Sequence, residues 1–282
     1  MNKVAVLIPT WCGHYDFYLN FIKSLKSNEI ENSADVFCVL SYDEDVSKYK
    51  GTANILTIPE ELQSTRESGI INKKKIWGGI QLKEKYDYII VVDDDTLLTK
   101  KIDFNYFCNE FWSNKKLLGN RYFDHEIAPK VINSCMSFFS RENQDVLKRI
   151  TNGYYLWYNQ LSIYKSSTID KFLKVTGLNN SLSKMNFYTF DYYLYMFYLL
   201  LFENFTIQDI EANSLFGIYE SLGQGQIKYV NKKLLVDNCI QATEYMTKSF
   251  ELDPIFLIHI DREYSPEKWF SKIKKYIKSK IK

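Results

Sequence analysis

The sequence lacks the features of membrane-spanning, exported and disulfide-bonded proteins. Its longest apolar run, residues 192–202, is well short of the ~20 residues that a membrane-spanning helix needs. The apolar segment at residues 4–8 is too short for the core of a signal peptide. The 5 cysteines are odd in number and form no C-x-x-C pair, which favours reduced thiols over a disulfide framework or a zinc site. We therefore expect a cytoplasmic protein.

The chain also lacks a strong charge of either sign. Its formal net charge of +2 provides no global electrostatic attraction for nucleic acid, so no nucleic-acid partner is expected. Hydrophobic residues at 46% and charged residues at 25% are close to globular averages. A length of 282 residues suits one large α/β domain and is short for two ordinary domains.

Short apolar runs alternate with helical patterns through the first 95 residues. The runs at residues 4–8, 36–40, 55–58 and 88–92 predict buried strands, and helical spacing follows the first run and occupies residues 65–85. This order predicts an α/β fold, with a mainly parallel, Rossmann-like sheet flanked by helices. Ligands bind such sheets at the carboxyl ends of the strands.

The second half has a less regular pattern. Residues 131–139 predict a strand, and residues 141–150 predict a helix with Ser140 as its N-cap. Residues 191–202 predict a strongly apolar helix or another buried segment, and residues 256–258 predict a short strand that leads to His259. We assign residues 1–262 to a single domain and residues 263–282 to a basic amphipathic C-terminal helix.

Three consecutive carboxylates follow the predicted strand at residues 88–92. Asp93, Asp94 and Asp95 cannot sit unpaired in a core, so they must be solvated, paired with bases or bound to a cation. Carboxylates at i and i+2 of a strand end point to one side and suit a hard divalent cation. Asp is also a common turn former at strand ends, which is the alternative explanation.

A hydrophobic strand followed by D-x-D resembles the donor-binding motif of GT-A glycosyltransferases. The opening V-A-V-L-I-P-T-W is similar to the first strand and nucleotide-binding loop of that superfamily. The resemblance covers about the first 100 residues. It implies that Asp93 and Asp95 hold Mn²⁺ or Mg²⁺, and that Asp94, the middle residue of the motif, contacts the nucleotide of the donor. It also implies a nucleotide-sugar donor, most often a UDP-sugar, and a glycan or lipid-linked glycan acceptor, as in capsule or lipooligosaccharide synthesis.

Four further residues are candidates for binding the nucleotide. Thr10 and Trp11 end the first strand, and Trp11 either stacks on the base or closes the core beneath the sheet. Asp43 follows the second strand and either accepts hydrogen bonds from the base or ribose or lies in a solvated loop. Lys75 is the lysine of the 73–75 cluster that we expect to reach the diphosphate. Lys73 and Lys74 are expected to form a solvated face.

Two residues from the second half complete the candidate site. His259 is either a core residue or a third metal ligand, since neutral imidazole suits Mn²⁺. Asp191 is either a helix-start carboxylate, favoured by the helix dipole, or the acceptor-side base that such a resemblance implies. Residues considered for the sugar site are Trp157, Tyr158 and Lys165.

The last stretch of the chain differs in composition from the rest. In residues 263–282, apolar side chains recur at helical spacing and lysines fill the other face. Such a helix either lies on an anionic membrane surface or packs on the domain. Membrane contact would place the protein at the inner face of the cytoplasmic membrane, where lipid-linked acceptors are found.

Two rival functions remain open. A sugar nucleotidyltransferase usually has a Gly-rich basic loop after its first strand, and P-T-W-C-G-H in this chain contains no Lys or Arg. A non-catalytic carbohydrate-binding protein on the same fold would bind without turnover.

Overall fold

A five-stranded sheet forms the centre of the protein. The computed structural model describes residues 2–98, 101–119, 121, 127–156, 161–209 and 257–259. The strands in chain order are β1 (Val4–Pro9), β2 (Asp35–Leu40), β3 (Asn54–Thr57), β4 (Tyr88–Val91), β5 (Thr96–Leu98), β6 (Lys116–Gly119), β7 (Ser162–Lys165), β8 (Thr206–Asp209) and β9 (Leu257–His259). The helices are α1 (Tyr15–Ser27), α2 (Ile70–Leu82), α3 (Phe104–Asn114), α4 (Ala128–Met136), α5 (Arg141–Thr151), α6 (Ser166–Thr176) and α7 (Asp191–Phe202).

The sheet has the order β3-β2-β1-β4-β7, and only β7 is antiparallel to its neighbour. Val6 of β1 lies opposite Val36 of β2 and Ile90 of β4. Every residue of β1 is buried, which explains its continuous apolar run. Two small two-stranded sheets, β5–β9 and β6–β8, accompany the central one among the described residues. The predicted α/β class, with a mainly parallel sheet flanked by helices, is confirmed.

The predicted strands and the long helix between them are found close to their expected positions. Helix α2 is shorter than the predicted 65–85 span and begins after Gly69, whose φ of 75° is left-handed and precedes the first helical residue. It packs against β1, β2, β4 and α7. The segment 191–202 forms α7 as predicted, and α5 begins after Ser140, whose hydroxyl accepts a hydrogen bond from the Asn143 N–H at 3.3 Å.

The predicted strand at residues 131–139 is wrong, because this segment forms α4. Pro129 occupies the first turn, where a proline costs no helical hydrogen bond. Ala128, Val131 and Cys135 are buried at helical spacing and pack toward α7. A short apolar run does not distinguish a buried strand from a buried helix, and the contact with α7 decides between them here.

Helix α7 is apolar on all sides and lies in the interior. Its residues from Asp191 to Leu200 are buried, and it packs against α2, α4, α5 and β7. Two of its tyrosines accept hydrogen bonds from backbone N–H groups: Tyr193 from Leu156 at 3.0 Å, and Tyr195 from Lys165 at 3.1 Å. These bonds satisfy hydroxyls that would otherwise be costly to bury.

The predicted C-terminal helix, residues 263–282, lies outside the described residues, so the two-part division of the chain and the membrane contact stay predictions. Among the residues that are described, none of the helices combines the length and apolar character required to cross a bilayer.

Candidate functional site

The carboxyl ends of β1, β2 and β4 meet at one edge of the sheet because these strands are parallel. The Thr10 N–H donates to the Val39 carbonyl at 3.1 Å, which joins the ends of β1 and β2. The Cys12 N–H donates to both carboxylate oxygens of Glu44 at 3.1 Å. The loop after β1 is therefore fixed to the loop after β2, and the acidic triplet after β4 lies on the other side of β1.

Asp93 forms the outer part of a buried ion-pair chain. Its Oδ1 lies 2.7 Å from Lys75 Nζ, and Asp191 Oδ1 lies 3.2 Å from the same nitrogen. The Asp93 side chain is 30% exposed, whereas those of Lys75 and Asp191 are 6% and 1% exposed. Burial lowers the pKa of Lys75, but the two carboxylates outweigh it and hold that pKa above its ordinary value. Lys75 is therefore a protonated ammonium between two acids.

Asp94 faces the interior and pairs with a histidine that sequence reasoning missed. Its Oδ1 lies 2.6 Å from His14 Nδ1, and only 4% of the residue is exposed. Burial, followed by the neighbouring Asp95 charge, raises the pKa of Asp94 well above its ordinary value. The expected contact between Asp94 and a nucleotide is not supported, since the carboxyl has almost no open surface. One signal was present in the sequence: His14 closely follows the first strand in a chain with 3 histidines.

The lysine cluster of α2 is not a solvated face, so that prediction is wrong for Lys73 and Lys74. Lys74 is fully buried, and its Nζ donates to the Thr10 carbonyl at 2.6 Å. Lys73 Nζ donates to Ser64 Oγ at 3.0 Å. Burial lowers the pKa of both, that of Lys74 to about 8 despite the raising effect of Glu44. Helix α2 packs directly on the sheet, and its lysine side chains reach polar groups there.

Trp11 and Asp43 lie on the surface of this edge. Trp11 is 39% exposed, so it does not close the core beneath the sheet. Its ring centre lies 5.4 Å from that of His14. Asp43 is exposed and accepts a hydrogen bond from Gln63 Nε2 at 2.8 Å. The exposed ring of Tyr42 precedes it. Two aromatic rings and an accessible carboxylate thus follow β1 and β2, which is suitable chemistry for a flat heterocyclic base.

Asp191 does not have the open, acceptor-facing position that we expected for a general base. Its Oδ2 accepts hydrogen bonds from Ser162 Oγ at 2.9 Å and Tyr164 OH at 3.0 Å, while Oδ1 faces Lys75. A general base must come within about 3 Å of the proton that it removes. The Asp191 carboxylate is 1% exposed and is held by three partners, so it is not accessible to an acceptor hydroxyl at the protein surface.

The remaining predicted residues are placed only in part. His259 pairs with Thr96 in the β5–β9 ladder, one residue after Asp95, so its backbone lies beside the acidic triplet. Its role as a metal ligand stays a prediction. Trp157 and Tyr158 lie outside the described residues. Lys165 pairs with Tyr88 at the start of β4, at the opposite edge from Asp93, so its predicted place in the sugar site is wrong.

The acidic edge has the donor chemistry for a hard cation. Within the described ranges, no group of three or more His, Cys, Asp or Glu side chains is arranged to hold a metal ion. A Mg²⁺-type site needs only one or two carboxylates, because substrate phosphates and water complete it. Carboxylates outnumber ammonium groups here, and Asp93 already binds a cation, the Lys75 ammonium. A cation held by Asp93 and Asp95 therefore fits the local charge.

Comparisons with known proteins give distant structural similarities. No protein-family profile matches the chain, and neither does any curated protein sequence. The apo structure of the WbbM bifunctional glycosyltransferase matches 74% of this chain with 10% identity and a TM-score of 0.44. The crystal structure of S. aureus TarS matches 88% of this chain with 12% identity and a TM-score of 0.39.

These matches cover only part of the larger proteins. The chain spans 39% of the WbbM chain and 43% of the TarS chain. Identities of 10% and 12%, with TM-scores below 0.5, assign neither a family nor an activity. The function therefore has to be inferred from the residues at the edge of the sheet.

Proposed function

We propose that this protein is a glycosyltransferase that moves a sugar from a nucleoside-diphosphate sugar to a glycan or lipid-linked glycan acceptor, with Mn²⁺ or Mg²⁺ as its cofactor. The observation that carries the proposal is the acidic triplet after β4, next to the loop after β1 at the carboxyl edge of a mainly parallel sheet. This is the edge at which open α/β sheets bind their ligands. UDP-sugars are the donor class that we test first.

Each group at this edge has a proposed task. Trp11 offers an exposed ring for stacking on the base, and Asp43 an exposed carboxylate for hydrogen bonds from the base or ribose. Asp93 and Asp95 would hold the divalent cation, with His259 as a proposed third ligand. When bound, the cation neutralises charge on the departing diphosphate. Glu44 and Lys74 hold the β1 loop in position through the Cys12 N–H and the Thr10 carbonyl.

Nucleotide binding with and without a cation tests this proposal. We expect calorimetry to show that UDP binds with Mn²⁺ and at least about tenfold more weakly in EDTA, since a cation offsets repulsion between phosphates and carboxylates. Asp95→Asn should abolish the effect of Mn²⁺. The matched control is Asp145→Asn on α5, an exposed acid paired with Lys148, which should bind as the wild type does. UDP binding that changes neither in EDTA nor in Asp95→Asn would refute the proposed cation site.

Turnover separates the rival functions. A transferase should release UDP slowly from a UDP-sugar when Mn²⁺ is present, through hydrolysis in the absence of acceptor. Release of pyrophosphate from a nucleoside triphosphate and a sugar phosphate would instead identify a nucleotidyltransferase. Sugar binding with neither reaction would identify a carbohydrate-binding protein.

A further inference from the structure

The Lys75 ammonium joins an accessible carboxylate to an inaccessible one. Asp93, on one side at 2.7 Å, is partly open to solvent, whereas Asp191, on the other side at 3.2 Å, is enclosed. A positive charge that is bound between the two can be drawn toward either. A cation that arrives from solvent can reach only Asp93.

Asp191 is held rigidly on its inner side. Ser162 and Tyr164, both in β7, donate hydrogen bonds to its Oδ2, so Oδ1 is turned to Lys75. The carboxylate also begins α7, where the helix dipole favours a negative charge. The position of Asp191 is thus set by its contacts with β7 and by its place at the start of α7.

We propose that Lys75 is an internal counter-ion that competes with a divalent cation for Asp93, and that Asp191 is a positioning residue that limits this competition by attracting Lys75 inward. The inference rests on the cation site of the proposed function. It assigns Lys75 to the carboxylate and not to the diphosphate. It also assigns Asp191 a task that acts through Lys75 and involves no contact with the acceptor.

Two substitutions should therefore change cation affinity in opposite directions. Lys75→Met removes the competing charge and frees an oxygen of Asp93, so Mn²⁺ should bind about tenfold more tightly. Asp191→Asn keeps the shape but removes the inward attraction, so Lys75 stays on Asp93 and Mn²⁺ should bind about tenfold more weakly. If Lys75 and Asp191 had merely structural roles, the two substitutions would not change Mn²⁺ affinity in opposite directions.

The experiment is a titration of the full chain with Mn²⁺ alone, followed by the electron paramagnetic resonance signal of the free ion. Matched controls come from the Lys83–Asp170 ion pair, which contains the lysine that follows α2. Lys83 lies about 12 Å along the helix from Lys75, beyond a Debye length at physiological salt. Lys83→Met and Asp170→Asn should leave Mn²⁺ affinity unchanged.

A double variant keeps the inference testable if Lys75→Met does not fold. Lys75→Met leaves Asp191 buried without its ammonium, whereas Lys75→Met with Asp191→Asn removes both charges. Its affinity should lie between those of the wild type and Lys75→Met, because Asp93 is freed while one negative charge is lost. Circular dichroism and thermal unfolding identify the variants that fold.

The outcomes distinguish this inference from the proposed function. Opposite shifts for Lys75→Met and Asp191→Asn support the inference. If Mn²⁺ binds the wild type through Asp95 but either shift is absent or reversed in a folded variant, the inference alone is overturned. If neither the wild type nor Lys75→Met binds Mn²⁺, the proposed cation site and the inference fail together.

Discussion

At the scale of single residues, the site is built from charged side chains that the fold encloses. Lys74, Lys75, Asp94 and Asp191 are buried, with at most 5% of each whole residue exposed, although charged residues are rarely buried. Each has a nearby partner: a carbonyl for Lys74, two carboxylates for Lys75, His14 for Asp94, and the Lys75 ammonium for Asp191. Such partners compensate part of the cost of burial, so removal of one member leaves the other uncompensated. The need for such partners explains why the buried charged residues of the site form a network of ion pairs and hydrogen bonds.

The exposed ring of Trp11 depends on its neighbour Gly13. A side chain at Gly13 would collide with the Trp11 indole, so Gly13→Ala should displace the ring. Because a stacked base is worth ~1–3 kcal/mol, we expect UDP to bind about tenfold more weakly. Stability should change by less than about 1 kcal/mol, since the displaced ring can turn into solvent.

Calorimetry and thermal unfolding measure the two effects of Gly13→Ala. Cys12→Ala, at an exposed position in the same loop, is the control and should retain UDP affinity. Unchanged binding in Gly13→Ala would show that Trp11 does not stack on the base.

At the scale of elements, α2 connects the core to the site. It packs against three strands of the sheet and against α7, so both its apolar and its basic residues are enclosed. Lys74 and Lys75 extend to the strand ends, where carbonyl and carboxylate groups compensate their charge. The position of this helix therefore sets the position of the ammonium groups relative to the acidic triplet.

The close approach of α2 to the sheet requires Gly78. A Cβ there would lie 2.7 Å from Leu7 Cδ2 and 3.1 Å from Val39 Cγ2. Alanine is favoured over glycine in a helix by about 1 kcal/mol, but overpacking a core costs ~1–3 kcal/mol. We expect Gly78→Ala to lower the free energy of unfolding by about 1 kcal/mol, measured by urea denaturation.

A double-mutant cycle identifies the cause. If the collision with Leu7 causes the loss of stability, Leu7→Val should lower the free energy of unfolding by less in the Gly78→Ala background than in the wild type. A Gly78→Ala protein that is more stable than the wild type would show that the helix has room to move away from the sheet.

At the scale of the whole molecule, the site combines segments that are distant in the chain. Lys75 of α2 contacts Asp191 of α7, and His14 reaches Asp94 from the loop after β1. The buried charges in these contacts link the global stability of the protein to its protonation state.

The pH dependence of stability should report on Lys74, because burial lowers the pKa of its ammonium from 10.5 to about 8. Between about pH 8 and pH 10 the unfolded chain retains a proton that folded Lys74 has released, so the free energy of unfolding rises with pH. The pKa difference corresponds to about 3 kcal/mol at most. Other groups that influence Lys74 are Glu44, Asp94, Asp43 and Cys38.

Urea denaturation of the wild type and of Lys74→Met, from about pH 7 to about pH 10, measures this contribution. The stability of the wild type relative to the variant should increase by about 1–3 kcal/mol over that range, because the other titrating groups are common to both proteins. A difference that does not vary with pH would mean that folded Lys74 keeps its proton.

Local sequence patterns were sufficient to predict the four parallel-sheet strands, α7 and the cap at Ser140, because each depends on neighbouring residues. They also located the acidic triplet at the end of β4. Only the tertiary structure decided that residues 131–139 form a helix, since an apolar run fits either element until its packing partner is known. It also decided that Lys75 lies between Asp93 and Asp191 and that Asp94 pairs with His14. Packing between distant segments determines which partner a buried charged side chain has, and residue spacing along the chain does not predict that partner.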